Sequence, residues 1–172
     1  MKKLQLGVIL LFSVICFGQN NYKFQYYKDV MTDKEYILSK QKLWCLENKE
    51  KGFVVGLSWA FKKGVIVYEG INVKSVGIGN CVENDDLIIL FDDDTKIALK
   101  SWNKFNCDGK SYFDLNGSQL KNLTKRIKAI RFQNGRDFSS STFVVNKEED
   151  KTFFIDAEKS LESQVYEVID KL

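Results

Sequence analysis

Phe53-Val54-Val55-Gly56-Leu57-Ser58-Trp59-Ala60-Phe61 decides the fold. Its odd positions carry Phe53, Val55, Leu57, Trp59 and Phe61, all large and apolar, while its even positions carry the smaller Val54, Gly56, Ser58 and Ala60. Successive strand side chains point to opposite faces, so this stretch is a strand with its large face turned to a core. Lys62-Lys63-Gly64 turns it into Val65–Tyr68, a hairpin. Leu87-Ile88-Ile89-Leu90-Phe91 is apolar on both faces and reads as a central strand, and Asp92–Thr95 turns it into Lys96–Ser101 with Ile97 and Leu99 inward. Ile130–Phe132 and Phe138–Val145 flank Asn134-Gly135, a strong turn signal, and form a third hairpin.

Weaker strands are expected at Tyr22–Lys28, Glu35–Leu46, Ile71–Val76 and Ser111–Leu115. Ser118–Thr124 reads as a short helix capped by Ser118, with Leu120, Leu123 and Ile127 on one side. The period then changes: Ala157, Leu161, Val165, Val168 and Leu172 predict a C-terminal amphipathic helix over residues 156–171. The expected fold is mainly β, a single antiparallel domain of about nine or ten strands, β-sandwich or barrel-like, with the helix laid on it. A lipocalin-like barrel ranks second, because the first strands lack the Gly-x-Trp such barrels show.

At 172 residues, with 44% hydrophobic and 28% charged, the chain suits one globular domain plus a short targeting segment. It contains no His and no Pro, which removes His-dependent nucleophile pairs, His metal ligands and imidazole pH switches. Lys2 and Lys3 precede an apolar run, Leu4–Phe17, shorter than the roughly 20 residues of a membrane span. This is a signal peptide, residues 1–18, with cleavage expected after Gly18 and residues 19–172 as the domain. The expected destination is the periplasm or the exterior. Anchoring through an acylated Cys16 is the lesser reading, since Ile15 stands where a lipoprotein signal needs a small residue. Cleavage takes Lys2 and Lys3 and leaves 24 basic against 23 acidic residues, so neither nucleic-acid nor anionic-membrane binding is expected, and after cleavage no membrane span is expected either. Lys121, Lys125, Arg126, Lys128 and Arg131 cluster, and read as a solvated face.

Without Cys16, three cysteines remain in a compartment that permits disulfides. Cys81 and Cys107 both sit in turn-like contexts, whereas Cys45 lies between Trp44 and Leu46 and suits a buried thiol. Cys81–Cys107 is the expected bridge; a bridge through Cys45, or three thiols, are the alternatives. No Cys-x-x-Cys occurs, and the spacings do not suit zinc.

Few residues carry chemistry. Glu83, Asp85 and Asp86 are separated from Asp92, Asp93 and Asp94 by a strand about 16 Å long, too far for one carboxylate pair. Turn formation outweighs calcium binding in each group. Ser-x-x-Lys at Ser39/Lys42, Ser101/Lys104 and Ser118/Lys121 is a chance pattern, and Gly77-Ile78-Gly79 lacks a dinucleotide loop's third glycine. No catalytic residue, cofactor site or metal site is assigned. Trp59 belongs to the core, while Trp102, on the Lys96, Ala98 and Lys100 face, is expected to be exposed and is the side chain nominated for a binding surface.

Gly79-Asn80-Cys81-Val82-Glu83-Asn84-Asp85-Asp86-Leu87, Leu90 to Lys96, Phe105-Asn106-Cys107-Asp108-Gly109 and Arg131 to Arg136 resemble a group of small exported proteins of Bacteroidota. The resemblance covers about half of the chain; it implies export and the Cys81–Cys107 pairing, and no activity. The chain departs from the group at Asp93-Asp94, where Asp-Gly is expected, which puts an Asp where a left-handed backbone favours Gly. The expected role is that of an exported, non-catalytic domain acting through protein contacts in the envelope or exterior. A small-molecule or glycan binder is the alternative, and a carboxylate-only hydrolase the third choice.

Overall fold

A computed structural model describes residues 22–29, 31, 34–47, 49–62 and 65–169, with side chains through residue 163. The segment expected to be a signal peptide, with Cys16, the expected turn at Lys63-Gly64, the Val165 and Val168 side chains and Leu172 lie outside the described residues. Among the described residues ten strands form two antiparallel sheets. They are β1 (Phe24–Asp29), β2 (Lys34–Ser39), β3 (Leu43–Glu47), β4 (Lys51–Lys62), β5 (Val65–Val76), β6 (Asp86–Phe91), β7 (Lys96–Lys100), β8 (Lys110–Asp114), β9 (Ile127–Gln133) and β10 (Ser140–Val144). The helices are α1 (Gly117–Asn122), α2 (Glu148–Lys151) and α3 (Phe153–Ile169).

The larger sheet runs β1-β2-β4-β5-β8, and the smaller runs β10-β9-β6-β7. Neither closes on itself, so the fold is a sandwich and the barrel alternative falls. β4 is the spine of the larger sheet. It is long enough that β2 pairs with its second half, Ser58–Phe61, and β3 with its first, Lys51–Val55. The stretch expected as one strand over Glu35–Leu46 is therefore two, separated by Lys40, Gln41 and Lys42. Conversely, Val65–Tyr68 and Ile71–Val76 join into the single strand β5, because Glu69 and Gly70 keep the ladder to Trp59 and Ser58.

The odd face of β4 behaves as its alternation requires: Phe53, Val55, Leu57, Trp59 and Phe61 are all buried, against Leu87, Ile89 and Phe91 of β6 and Ile130 and Phe132 of β9. The Phe53 and Phe132 rings meet at 5.8 Å across the sandwich. Where the smaller sheet ends, α3 takes over as cover with Phe153, Phe154, Ala157 and Leu161 buried. The Tyr22 hydroxyl donates to the Phe153 carbonyl at 3.0 Å, and this tie fixes the start of that helix three residues before the expected one.

Two local expectations need correction. The cap of α1 is Asn116, not Ser118: its side chain accepts from the Ser118 and Gln119 N–H groups, and Gln119 reaches back in a capping box. Asn134-Gly135 is not a tight hairpin turn, since β9 ends at Gln133 and β10 begins at Ser140. Asn134 is instead buried and donates through Nδ2 to the Cys81 carbonyl at 2.9 Å. Gly135 is there for close approach, as a Cβ would collide with the Asn84 carbonyl.

An aromatic groove as candidate functional site

The even-numbered face of the larger sheet points away from the core and forms a groove of about 630 Å³. Its floor is the small-residue side of β4, with Val54, Gly56 and Ser58 buried although they face outward. The walls supply that burial. Trp44 of β3 stands on one flank; Tyr112 of β8, with Trp102 beside it, stands on the other. These strands are separated by three inter-strand spacings, or about 14 Å. Tyr36 of β2 and Tyr68 of β5 complete five aromatic rings around the groove.

Trp102 lies just beyond β7 rather than on it, and its N–H donates to the Tyr112 carbonyl at 3.1 Å. The indole stacks on the Tyr112 ring with centroids 5.5 Å apart. It is 58% exposed, and Trp44 is 61% exposed, so each presents an open face. The Tyr68 hydroxyl folds back over Gly70, a position where a Cβ would collide with it. Burial first, then the Asp114 charge, raise its pKa, while Trp102 and Ser58 pull it the other way.

Among the described residues three lysines line the groove, Lys42, Lys74 and Lys110, and no Asp or Glu does. Lys42 comes from the break between β2 and β3, and its ammonium lies over Gly56. Burial lowers its pKa, because a half-buried cation loses hydration. Ser39, its sequence partner in Ser-x-x-Lys, points to the opposite face and donates to the Gln41 carbonyl.

The other nominated groups lie elsewhere. Cys81 and Cys107 are joined, and Cys45 is a free thiol, 1% exposed, whose pKa burial pushes up. Asp92, Asp93 and Asp94 pair with Arg126, Lys125 and Lys128 respectively, so the basic cluster is partly a partner surface for this acidic turn. Lys125 and Thr95 hold Asp93 at about 2. Asp94 takes a φ of 62°, the left-handed conformation that the missing Gly would have favoured. Asp85 is fully buried and hydrogen-bonded, and among the described residues no group of acids and cysteines is placed to hold a metal ion.

One carboxylate pair escaped sequence reasoning, since its members are far apart along the chain. Glu69 of β5 and Glu158 of α3 interact, and both feel the Trp59 indole. Burial, then the Glu69 and Glu162 charges, raise Glu158 to about 7. The pair sits on the core side of the larger sheet, opposite the groove, so the two cannot act on one bound molecule. No described helix is long and apolar enough to cross a membrane.

The chain matches none of the family models, curated proteins or solved structures with which it was compared.

Proposed function

We propose that this protein is an exported, non-catalytic binding module that seats an amphiphilic small molecule in the aromatic groove. One observation carries this: the outward face of the larger sheet, ordinarily polar, offers an apolar floor between aromatic walls. A concavity of about 630 Å³ suits a ligand of drug or lipid size better than the broad contact of a protein partner. The groove thus favours small-molecule binding over the protein contacts in the envelope that composition alone would suggest. Among the described residues its lining holds no carboxylate, which speaks against a carboxylate hydrolase acting there. Export is supported by the basic and apolar N-terminal pattern and by the Cys81–Cys107 bridge, which suits an oxidising compartment.

Tryptophan fluorescence and thermal unfolding test the proposal, using dodecanoate, dodecanol and neutral oligosaccharides. An alkyl amphiphile should blue-shift the emission saturably. At 100 times its dissociation constant it should stabilise by about 2.7 kcal/mol, or roughly 5–10 °C. A response to oligosaccharides alone would replace the amphiphile with a glycan, and no response to any of them would overturn the groove as a ligand site.

A further inference from the structure

We infer that the ligand is an anion, an acidic head group on an apolar body, seated on Lys42 above Gly56. This rests on the groove being a ligand site and adds the charge of what it takes.

Gly56 lies mid-strand, where glycine weakens a ladder and needs a reason. The reason is visible above it. A Cβ there would collide with Lys42 Nζ and lie 2.6 Å from Asn72 Oδ1, so the absent side chain admits both polar groups to the floor. Among the described residues, Lys42 has no carboxylate partner, and no hydrogen bond is made by the Asn72 side chain. A half-buried ammonium without a carboxylate counter-ion, in an apolar groove, is the donor an anionic head group requires. Lys74 and Lys110 share the face and make its charge one-signed, although Lys110 also pairs with Asp108 at 3.3 Å. The burial that lowers the Lys42 pKa makes an arriving anion more welcome, since its charge offsets the lost hydration.

Two fluorescent probes that differ by one charge separate the inference from its premise: anilinonaphthalene sulfonate, an anion, and phenylnaphthylamine, its neutral counterpart. The unaltered protein should bind both, the anion about tenfold more tightly. Lys42→Met should cut anion affinity about tenfold and change the neutral probe less than twofold, and Lys121→Met, on α1, should change neither. Gly56→Ala, which keeps the charge but displaces Nζ, should also weaken the anion and serves if Lys42→Met fails to fold. Dodecanoate and naphthoate should each displace the anionic probe, and their ranking distinguishes an acyl from an aromatic acid; dodecyltrimethylammonium should not displace it. Equal affinity for the two probes, or indifference to both groove variants, would overturn the anion and leave the groove standing. If neither probe binds, the groove itself fails, and the anion with it.

Discussion

The Trp102 indole stacks on the Tyr112 ring at 5.5 Å and 29°, and the Trp102 N–H holds the Tyr112 carbonyl at 3.1 Å. A segment leaving the smaller sheet is thereby pinned to the edge strand of the larger one, and a groove wall results. Stacked pairs of this kind contribute about 0.5–1.5 kcal/mol. Because the outer indole face is open, Trp102→Ala should cost little stability, with Tm falling by no more than about 4 °C. Affinity for the neutral probe should fall about tenfold, the loss of one aromatic anchor. Titration of the variant checks this, and unchanged affinity would remove Trp102 from the site.

Cys81 and Cys107 are 26 residues apart and close the loop that carries β6 and β7. Removing the bridge by the paired Cys→Ser change should cost about 3–4 kcal/mol in the chain-entropy model, read as a lower urea midpoint. Cys45, buried and free, should resist thiol reagents in the native protein and react once in urea. Two reactive thiols in the native oxidised protein would contradict the pairing.

The fold was legible where pattern and packing coincide. Phe53 to Phe61 alternates large and small, and the large set is the core. The same alternation could not show that the small set is a groove floor, because the walls come from Trp44, Trp102 and Tyr112, each on a different part of the chain. Trp102 betrayed itself through its polar neighbours. Lys42 did not: read within Ser-x-x-Lys it is noise, and its meaning depends on Gly56 lying beneath it. Asn134-Gly135 misled for a related reason. Its local turn preference yields to contacts with Cys81 and Asn84, more than fifty residues upstream in the case of Cys81.

Glu158 contributes to the pH dependence of stability. Its pKa in the folded chain is about 7 against an ordinary 4.5, so the folded state holds a proton that the unfolded state releases. The sign follows: this contribution is full below pH 4.5 and is lost as pH rises through 7. Discounted for solvent screening, about 1–2 kcal/mol should disappear between pH 5 and pH 8. Urea unfolding at the two pH values should show the loss, and Glu158→Gln should flatten it. Stability that rises over this interval and is unaffected by the variant would show that Glu158 ionises freely.

Asp85 clamps the sandwich at its other end. Its carboxylate is fully buried and accepts from Ser111 Oγ at 2.6 Å, on the larger sheet, and from the Gly135 N–H at 3.0 Å, in the loop joining β9 to β10. Its own N–H donates to Ser101 Oγ at 2.8 Å, beside the Trp102 wall. Each such hydrogen bond contributes about 0.5–1.5 kcal/mol, and a donor left buried and unmet costs about 1–3 kcal/mol. Asp85→Ala should therefore destabilise by about 3 kcal/mol or more. Asp85→Asn, which keeps one acceptor oxygen but brings a second donor towards Ser111 or Gly135, should recover only part of that. Because Ser101 precedes Trp102, both variants should also weaken probe binding before they unfold the protein, with Trp102 emission shifting at denaturant concentrations where the far-UV signal is still native. Coincident loss of the two signals would mean that Asp85 holds the sheets together without setting the groove wall.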